Sequence, residues 1–149
     1  MKMSITRVNI VFIFLSVILL INAIYIYLSN RNTDMLLYVW LGLDNNNCIF
    51  EYTRNHVCGY APWIKYNLPD GLWLLSYLLF IEGIWSKEKL LKWLFCIPII
   101  GFAFVLEFLQ FSGIFSGTGD VLDIMSYILA ILLFLFIIKL KQIYYEKDL

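Results

Sequence analysis

Residues 107–123 read EFLQFSGIFSGTGDVLD and join two long apolar runs in the C-terminal half of the chain. Glu107 and Gln110 lie one helical turn apart at the end of the first run, and Asp120 and Asp123 lie one turn apart where the second run begins. The Gly, Ser and Thr residues between the two pairs predict a turn. The stretch therefore predicts a hairpin of two helices with acidic side chains near its turn. Charged residues inside bilayer-length segments are costly and mark candidate functional sites.

The composition favours a membrane protein over a soluble one. Of the 149 residues, 62% are hydrophobic and 15% are charged, and the mean hydropathy is +0.80. Soluble domains carry about 25% charged residues. The net charge is zero, and no dense cluster of Lys and Arg indicates nucleic-acid binding. The single histidine excludes a multi-histidine metal site within one chain, and no metal or other cofactor is predicted.

Four uncharged or nearly uncharged runs predict an all-α membrane protein with four transmembrane helices, forming a single integral membrane domain over residues 1–149. The predicted spans are about residues 8–28, 68–85, 93–111 and 120–138. The first run follows basic residues, as a signal peptide does, but its length and the lack of a small-x-small cleavage site favour a retained helix. Asn67 is expected to cap the second span, and Pro98 is expected to bend the third.

The predicted external loop, residues 29–67, is the longest polar connection. Its segment 34–44 has too few uncharged residues to span a bilayer, so it predicts a short helix at the membrane interface, with a re-entrant segment as the alternative. Cys48 and Cys58 share this loop and could form a disulfide in an oxidising compartment, or remain free thiols. With His56 they could instead supply three zinc ligands, but a fourth ligand is not visible.

The distribution of basic residues predicts the orientation in the membrane. Eight of the eleven Lys and Arg residues lie in the N-terminus, in the link between the second and third spans and in the C-terminal tail. The positive-inside rule therefore places both termini in the cytoplasm. Trp40, Trp63 and Trp73 then lie near the outer interface, and Trp85 and Trp93 near the inner one, where tryptophan is enriched.

Polar side chains from three spans are expected to converge at the outer leaflet. The hairpin places Glu107 at the depth of Asp123, and Asp70 begins the second span on the same side of the membrane. The candidate ligand-binding residues are Asp70, Glu107, Gln110, Asp120, Asp123 and Tyr127. Simpler roles remain open: Asp120 can be an N-cap supported by Asp123, and Asp70 can be a first-turn carboxylate favoured by the helix dipole.

Two acidic residues need a partner inside the membrane. Glu107 lies near the C-terminal end of its helix, where the helix dipole disfavours negative charge, so its simplest role is a hydrogen bond to Gln110 or to the fourth span. Glu82 lies about one turn from the cytoplasmic end of the second span, and an ion pair with Lys87 or Lys89 would account for it.

The order Glu107, Gln110, loop, Asp120, Asp123 resembles the VanZ-like family of small bacterial membrane proteins. That family's pattern runs from a Glu-x-x-Gln pair through a loop into two aspartates three residues apart at a helix start. The opening LPDGLW of the second span also fits, so the resemblance covers about residues 65–138. The family often has an arginine shortly before the first aspartate, where this loop reads GTG. It often has an asparagine at the position of Tyr127. This chain therefore lacks the arginine through which the family would bind an anion.

The resemblance implies a multi-pass protein of the bacterial cytoplasmic (inner) membrane, with a role in the cell envelope and a link to glycopeptide antibiotic resistance. The favoured interpretation is a binding protein for an amphiphilic or lipid-linked envelope molecule, for membrane lipids or for a membrane protein partner. The alternative is a membrane enzyme acting on a lipid-linked substrate. In that enzyme Glu107 would be the general base, and Asp120 and Asp123 would orient the substrate or hold a cation such as Mg²⁺. A purely structural subunit is a third interpretation. A binding protein needs an apolar lateral groove, whereas an enzyme needs a water-accessible cavity beside Glu107.

Overall fold

The computed structural model describes residues 7–30, 61–115 and 119–145, and all of the regular secondary structure in these ranges is helical. The helices are α1 (Arg7–Asn30), α2 (Pro62–Tyr66), α3 (Leu68–Trp85), α4 (Lys89–Phe111) and α5 (Val121–Tyr145). The all-α prediction is therefore confirmed for the described residues. The predicted interfacial helix at 34–44, Cys48, His56 and Cys58 lie outside the described residues.

Three helices are long and apolar enough to cross a membrane. The candidate spans are Val8–Ser29, Lys89–Phe111 and Val121–Ile143, with mean hydropathies of 2.6, 2.1 and 2.7. They correspond to the first, third and fourth predicted spans. The third and fourth helices extend further at their lysine-bearing ends than predicted, because the lysines there are accommodated within the helices. Length and composition in these helices indicate a membrane protein.

Helix α3 coincides with the second predicted span, residues 68–85, but it is not among the three candidate spans. Asp70, Glu82 and several polar aromatic residues lower its hydropathy. At a rise of about 1.5 Å per residue its 18 residues extend about 27 Å, close to the thickness of a bilayer core. Pro69 and Asp70 lie in its first turn, as the sequence predicts.

Helix α3 lies at the centre of the structure. It packs most extensively against α1, then against α5, and less against α4. Leu74, Leu78 and Leu79 are fully buried on it, and Phe134 of α5 is buried against the same core. Ser76 and Glu82 are also buried on α3, and polar groups within a membrane helix are favoured inside the bundle over lipid, which accounts for the central position of α3.

Small residues allow α1 and α3 to approach closely. A Cβ atom on Gly83 would come within 2.6 Å of the Ile13 side chain and 3.1 Å of the Asn9 carbonyl oxygen. Two turns before Gly83 on α3, Ser76 Oγ donates a hydrogen bond to the Ser16 carbonyl oxygen of α1 across 2.8 Å. Close approach with interhelical hydrogen bonds is the usual mode of helix association in membranes, where lipid chains are as apolar as the helix surfaces.

Helix α4 presents one narrow buried face and otherwise exposed apolar side chains. Its buried residues are Lys92, Cys96, Ala103 and Glu107, which recur at helical spacing along one stripe. Leu94, Ile97 and Phe108 are among the exposed residues. The helix continues without interruption through Pro98, and its bend stays a prediction. Such a helix suits a position between the bundle and the lipid.

The end of α4 explains how the chain turns toward α5. Gly113 has φ +68° and donates its N–H to the Gln110 carbonyl oxygen, while Ile114 donates to the Leu109 carbonyl oxygen. This pattern is a Schellman motif, in which glycine adopts the left-handed conformation at little steric cost. The motif closes the helix where the Gly-rich sequence predicts a turn, and it returns the chain toward the start of α5.

Candidate functional site

Asn67 connects the start of α3 to the start of α5. Its Nδ2 atom donates to Asp120 Oδ2 across 2.9 Å and to Asp123 Oδ1 across 2.8 Å. An amide has two N–H hydrogens, so both donors of Asn67 are used. Asn67 was predicted to cap α3, but its side chain makes no cap hydrogen bond there. The prediction is wrong because a cap requires Asn67 Oδ1 to accept an N–H from the first turn of α3, whereas the side chain is oriented so that Nδ2 donates to Asp120 and Asp123.

Asp120 occupies the junction between α5 and α4. Its Oδ1 atom accepts the Leu122 N–H across 2.9 Å, which is the geometry of an N-cap. Its own backbone N–H donates to Glu107 Oε2 across 3.2 Å. Glu107 is only 5% exposed, so this hydrogen bond compensates part of the cost of placing a carboxylate inside the bundle. We call Asn67, Glu107, Asp120 and Asp123 the carboxylate network.

Tyr127 lies one turn beyond Asp123 on α5 and is buried. Its ring packs edge-on against Trp73, at 6.4 Å between centroids, and against Phe104, at 5.8 Å. Asp70, Glu107 and Asp123 lie close enough to act electrostatically on its hydroxyl. Tyr127 and its aromatic neighbours therefore form an apolar floor beneath the carboxylate network, with the phenol as a further polar group.

The structure brings together most of the predicted site residues. Glu107, Asp120 and Asp123 belong to the carboxylate network, and Tyr127 and the half-buried Asp70 lie beside it. The half-buried Gln110 is different, because its side chain makes no hydrogen bond to another residue in the described ranges. The ligand-binding role of all six stays a prediction.

Sequence reasoning missed Asn67 as a member of the network. The signal was present in part, because Asn67 immediately precedes LPDGLW and was expected on the same side of the membrane as the aspartates. What could not be read from the sequence is that the side chain turns away from its own helix. That choice depends on where the first turn of α5 lies relative to α3.

An apolar groove lies between α3 and α5, deeper in the structure than the carboxylate network. Its cavity has a volume of about 50 Å³. The lining side chains include Trp63, Leu72, Leu75, Ser126, Leu129 and Leu133. Gly71 brings the two helices together here, since a Cβ atom at this position would come within 2.9 Å of the Ser126 carbonyl oxygen. We call this feature the α3–α5 groove.

Among the described residues that line the α3–α5 groove, Ser126 carries a hydroxyl and the others are aliphatic, aromatic or glycine. Its hydroxyl is buried and has no hydrogen-bond partner within the part of the chain that the structure describes. A hydroxyl inside a helix commonly bonds to a carbonyl oxygen of the preceding turn, and this one does not. Leaving a buried hydroxyl unsatisfied costs about 1–3 kcal/mol, so its position calls for an explanation.

The geometry gives little support to a cation between the two aspartates. Asn67 directs its amide hydrogens at Asp120 and Asp123, where a bridging cation would have to lie. Among the residues described, no group of three or more His, Cys, Asp or Glu side chains is arranged to hold a metal ion. The carboxylate network is therefore built as a hydrogen-bonded unit.

A second polar cluster lies at the opposite end of the helices. Glu82 of α3 is 2.9 Å from Lys92 Nζ of α4 and 2.9 Å from Lys141 Nζ of α5. Lys141 also donates to Asn9 Oδ1 of α1 across 3.2 Å, and Asn9 Nδ2 donates to Ser86 Oγ across 2.6 Å. We call these five residues the lysine cluster. It joins all four long helices at one end.

The predicted partners of Glu82 are wrong. Lys87 and Lys89 are exposed, and Lys92 and Lys141 pair with Glu82 instead. Lys87 precedes α4, and Lys89 is its first residue. Lys92 lies one turn further along α4 and faces the bundle. Lys92 and Lys141 are buried as Glu82 is, and removing opposite charges from water is tolerated when they remain paired.

Comparisons with protein-family models, with curated proteins and with solved structures find no match to this chain. The resemblance to the VanZ-like family therefore rests on Glu107, Gln110, Asp120, Asp123 and the LPDGLW stretch alone, and it stays a prediction.

Proposed function

We propose that this protein binds an amphiphilic molecule, with the polar head at the carboxylate network and the apolar chain in the α3–α5 groove. The observation that carries the proposal is the Ser126 hydroxyl, which is buried and unpartnered on the lining of an otherwise apolar groove. Ser126 lies one turn from Asp123 on the same helix, so the two side chains are about 4.5 Å apart along the helix axis.

The chemistry of the site describes the ligand. The carboxylate oxygens of Glu107 and Asp120 accept hydrogen bonds, so the head group should carry N–H or O–H donors. The Ser126 hydroxyl suits an oxygen at the junction of head and chain, such as an ester or amide carbonyl. Beyond it, Leu129 and Leu133 provide apolar walls for one chain. This order of polar, junction and apolar contacts matches a lipid or a lipid-linked molecule.

The size of the groove restricts how much of the ligand it holds. Pockets for drug-sized ligands have volumes of about 300–1,000 Å³, and this cavity has about 50 Å³. The groove is therefore suited to one segment of a chain, while the remainder lies in the bilayer. Leu129 and Leu133 are 46% and 42% exposed, which agrees with a groove that opens sideways between the helices.

Binding is better supported than catalysis. Glu107, the candidate general base, is held by the Asp120 N–H, and it does not line the α3–α5 groove. A general base must reach the proton that it removes, directly or through one water. The lateral apolar groove is the feature that a binding protein requires.

We also propose a placement in the membrane. Helix α3 crosses the membrane in addition to α1, α4 and α5, both termini are cytoplasmic, and the carboxylate network faces the outer leaflet. The enclosure of α3 by α1, α4 and α5 supports its role as a span, as does its length of about 27 Å. If the VanZ-like resemblance holds, the ligand is a lipid or lipid-linked molecule of a bacterial cell envelope.

Native mass spectrometry of the protein extracted directly from its membrane into nanodiscs tests the proposal. We expect the wild type to retain a lipid that survives removal of the bulk bilayer. Leu129→Trp fills the α3–α5 groove and should reduce the retained lipid at least about tenfold, the effect of losing about 1.4 kcal/mol of binding free energy.

The matched control is Leu132→Trp. Leu132 is on the same helix and 58% exposed, but it does not line the groove. This variant should retain the lipid as the wild type does. Absence of any retained lipid in the wild type, or equal retention in Leu129→Trp and Leu132→Trp, contradicts the proposal.

A further inference from the structure

The lysine cluster carries an excess of positive charge. Lys92 and Lys141 both pair with Glu82, each with a different carboxylate oxygen, so two ammonium groups face one carboxylate. The other two members, Asn9 and Ser86, are neutral. Glu82, Lys92 and Lys141 are each less than 9% exposed. A buried excess of one positive charge is costly unless an anion approaches it.

The ammonium group of Lys92 has hydrogen-bond donors left for such an anion. An ammonium has three N–H donors, and Lys141 uses two of them on Glu82 and Asn9. Lys92 Nζ lies 2.9 Å from Glu82 Oε2 as an ion pair. Even if Lys92 gives one N–H to Glu82, two of its donors stay available.

The two lysines come from helices that pack only loosely against each other. Lys92 belongs to α4 and Lys141 to α5, and these two helices make few direct contacts. Among the described residues near the cluster in sequence, Lys87, Lys89 and Lys139 are exposed, and so is the acid Glu88. This described part of the rim is therefore positively charged as well, which attracts anions to this end of the bundle.

Aromatic residues place the cluster at the depth of lipid head groups. Trp85 stacks on Phe95 with 6.2 Å between ring centroids, and Lys92 Nζ lies 5.9 Å above the Trp93 ring. Tryptophan is enriched where a membrane meets water. Leu94 and Phe95 on the same stretch of α4 are exposed, and they offer apolar surface for acyl chains.

We propose that the lysine cluster binds the phosphate of an anionic phospholipid from the leaflet at this end, between α4 and α5. A phosphodiester carries one negative charge, which balances the one excess positive charge of the cluster. Its oxygens accept N–H donors from Lys92 and Lys141, while Glu82 holds the two ammonium groups side by side. The site lies at the opposite end of the helices from the carboxylate network, so it does not depend on the function proposed above.

The test uses the full chain in nanodiscs of phosphatidylcholine mixed with phosphatidylglycerol. Native mass spectrometry after partial removal of lipid measures how many phosphatidylglycerol molecules are retained relative to phosphatidylcholine. We expect the wild type to enrich phosphatidylglycerol. Lys92→Gln, which keeps a polar side chain and removes its charge, should lower the enrichment about tenfold, as expected for loss of one charge-assisted hydrogen bond. Lys92→Arg should retain it.

The control is Lys89→Gln, which removes an exposed charge of the rim and should change the enrichment by less than about twofold. Equal losses in Lys89→Gln and Lys92→Gln would show general surface attraction and overturn the proposal. If the wild type shows no preference for phosphatidylglycerol over phosphatidylcholine, that result alone overturns the proposed lipid site. Inorganic phosphate should not displace the lipid; complete displacement at millimolar phosphate would identify a site for soluble phosphate instead.

Discussion

The backbone N–H of Asp120 donates to Glu107 Oε2 across 3.2 Å, so the acid near the end of α4 holds the residue that begins α5. Asp120 in turn caps α5 and accepts a hydrogen bond from Asn67. A negative charge near the C-terminal end of a helix is unfavourable by itself. Here the Glu107 carboxylate accepts a hydrogen bond from the start of the next helix, and this bond stabilises the hairpin of α4 and α5.

Variants of Glu107 separate hydrogen bonding from charge. Glu107→Gln keeps an acceptor for the Asp120 N–H, so the free energy of unfolding should change by less than about 1 kcal/mol. Glu107→Leu leaves that N–H unsatisfied and should lower the free energy of unfolding by about 1–3 kcal/mol. Unfolding in mixed micelles of increasing SDS content measures this free energy for both variants. Equal stability of the two variants would contradict a structural role for the hydrogen bond. If the carboxylate also binds the ligand head, Glu107→Gln should lower lipid retention.

Variants of Asn67 test its bridge between the two aspartates. Asn67→Ala removes two charge-assisted hydrogen bonds and should lower the free energy of unfolding by about 2–4 kcal/mol. Asn67→Asp adds a third carboxylate beside Asp120 and Asp123, so it should be the less stable variant at neutral pH. It should regain stability as the pH falls, because a protonated carboxyl group can donate a hydrogen bond. An Asn67→Asp variant as stable as the wild type at neutral pH would rule out the bridge.

The lysine cluster should depend strongly on Glu82. Glu82→Ala leaves Lys92 and Lys141 buried without a carboxylate, and removing one partner of a buried ion pair costs about 3–5 kcal/mol. Lys87→Ala, at an exposed position, should change the free energy of unfolding by less than about 0.5 kcal/mol. The same SDS unfolding measurement compares the two. A loss of less than about 1 kcal/mol in Glu82→Ala would contradict the dependence of the two buried lysines on this carboxylate.

Two glycines provide a matched pair for the packing of α3 on α5. A Cβ atom in Gly71→Ala would meet the Ser126 carbonyl oxygen at 2.9 Å, so the helices must separate, at a cost of about 1–3 kcal/mol. Gly101 has nothing within 4 Å of such a Cβ atom. Gly101→Ala should therefore be neutral or stabilise α4 by up to about 1 kcal/mol. Equal effects of the two substitutions would mean that α3 and α5 do not pack as closely as described.

Topology can be mapped with a thiol probe that does not cross membranes. A cysteine at Lys89 should be labelled only from the cytoplasmic side, and one at Ile114 only from the opposite side. A reporter fused to the N-terminus should lie on the same side as residue 89, because α1 and α3 both cross the membrane in the proposed arrangement. A reporter on the opposite side would remove α3 from the spans.

The sequence predicted the helices well where the signal was local. The apolar runs, the turn after Phe111 and the N-cap at Asp120 are all encoded by neighbouring residues, and the structure contains each of them. The candidate carboxylates could also be identified, because acids are rare inside apolar runs. Predictions that needed a choice between partners were less successful. Asn67 was assigned to its own helix, and Glu82 was assigned to the nearest lysines.

What the sequence determined by itself is the set of long helices, because a bilayer-length apolar segment must satisfy its backbone hydrogen bonds internally. What only the tertiary structure decided is how the buried polar groups pair. Lys141 reaches Glu82 from a position 59 residues away in the chain, and Asn67 reaches Asp123 from 56 residues away. These pairs form because the packing of α3 against α5 brings the two faces together. A buried charge is stabilised by whichever opposite group the fold places within hydrogen-bond distance, and distance along the chain has no part in that energy.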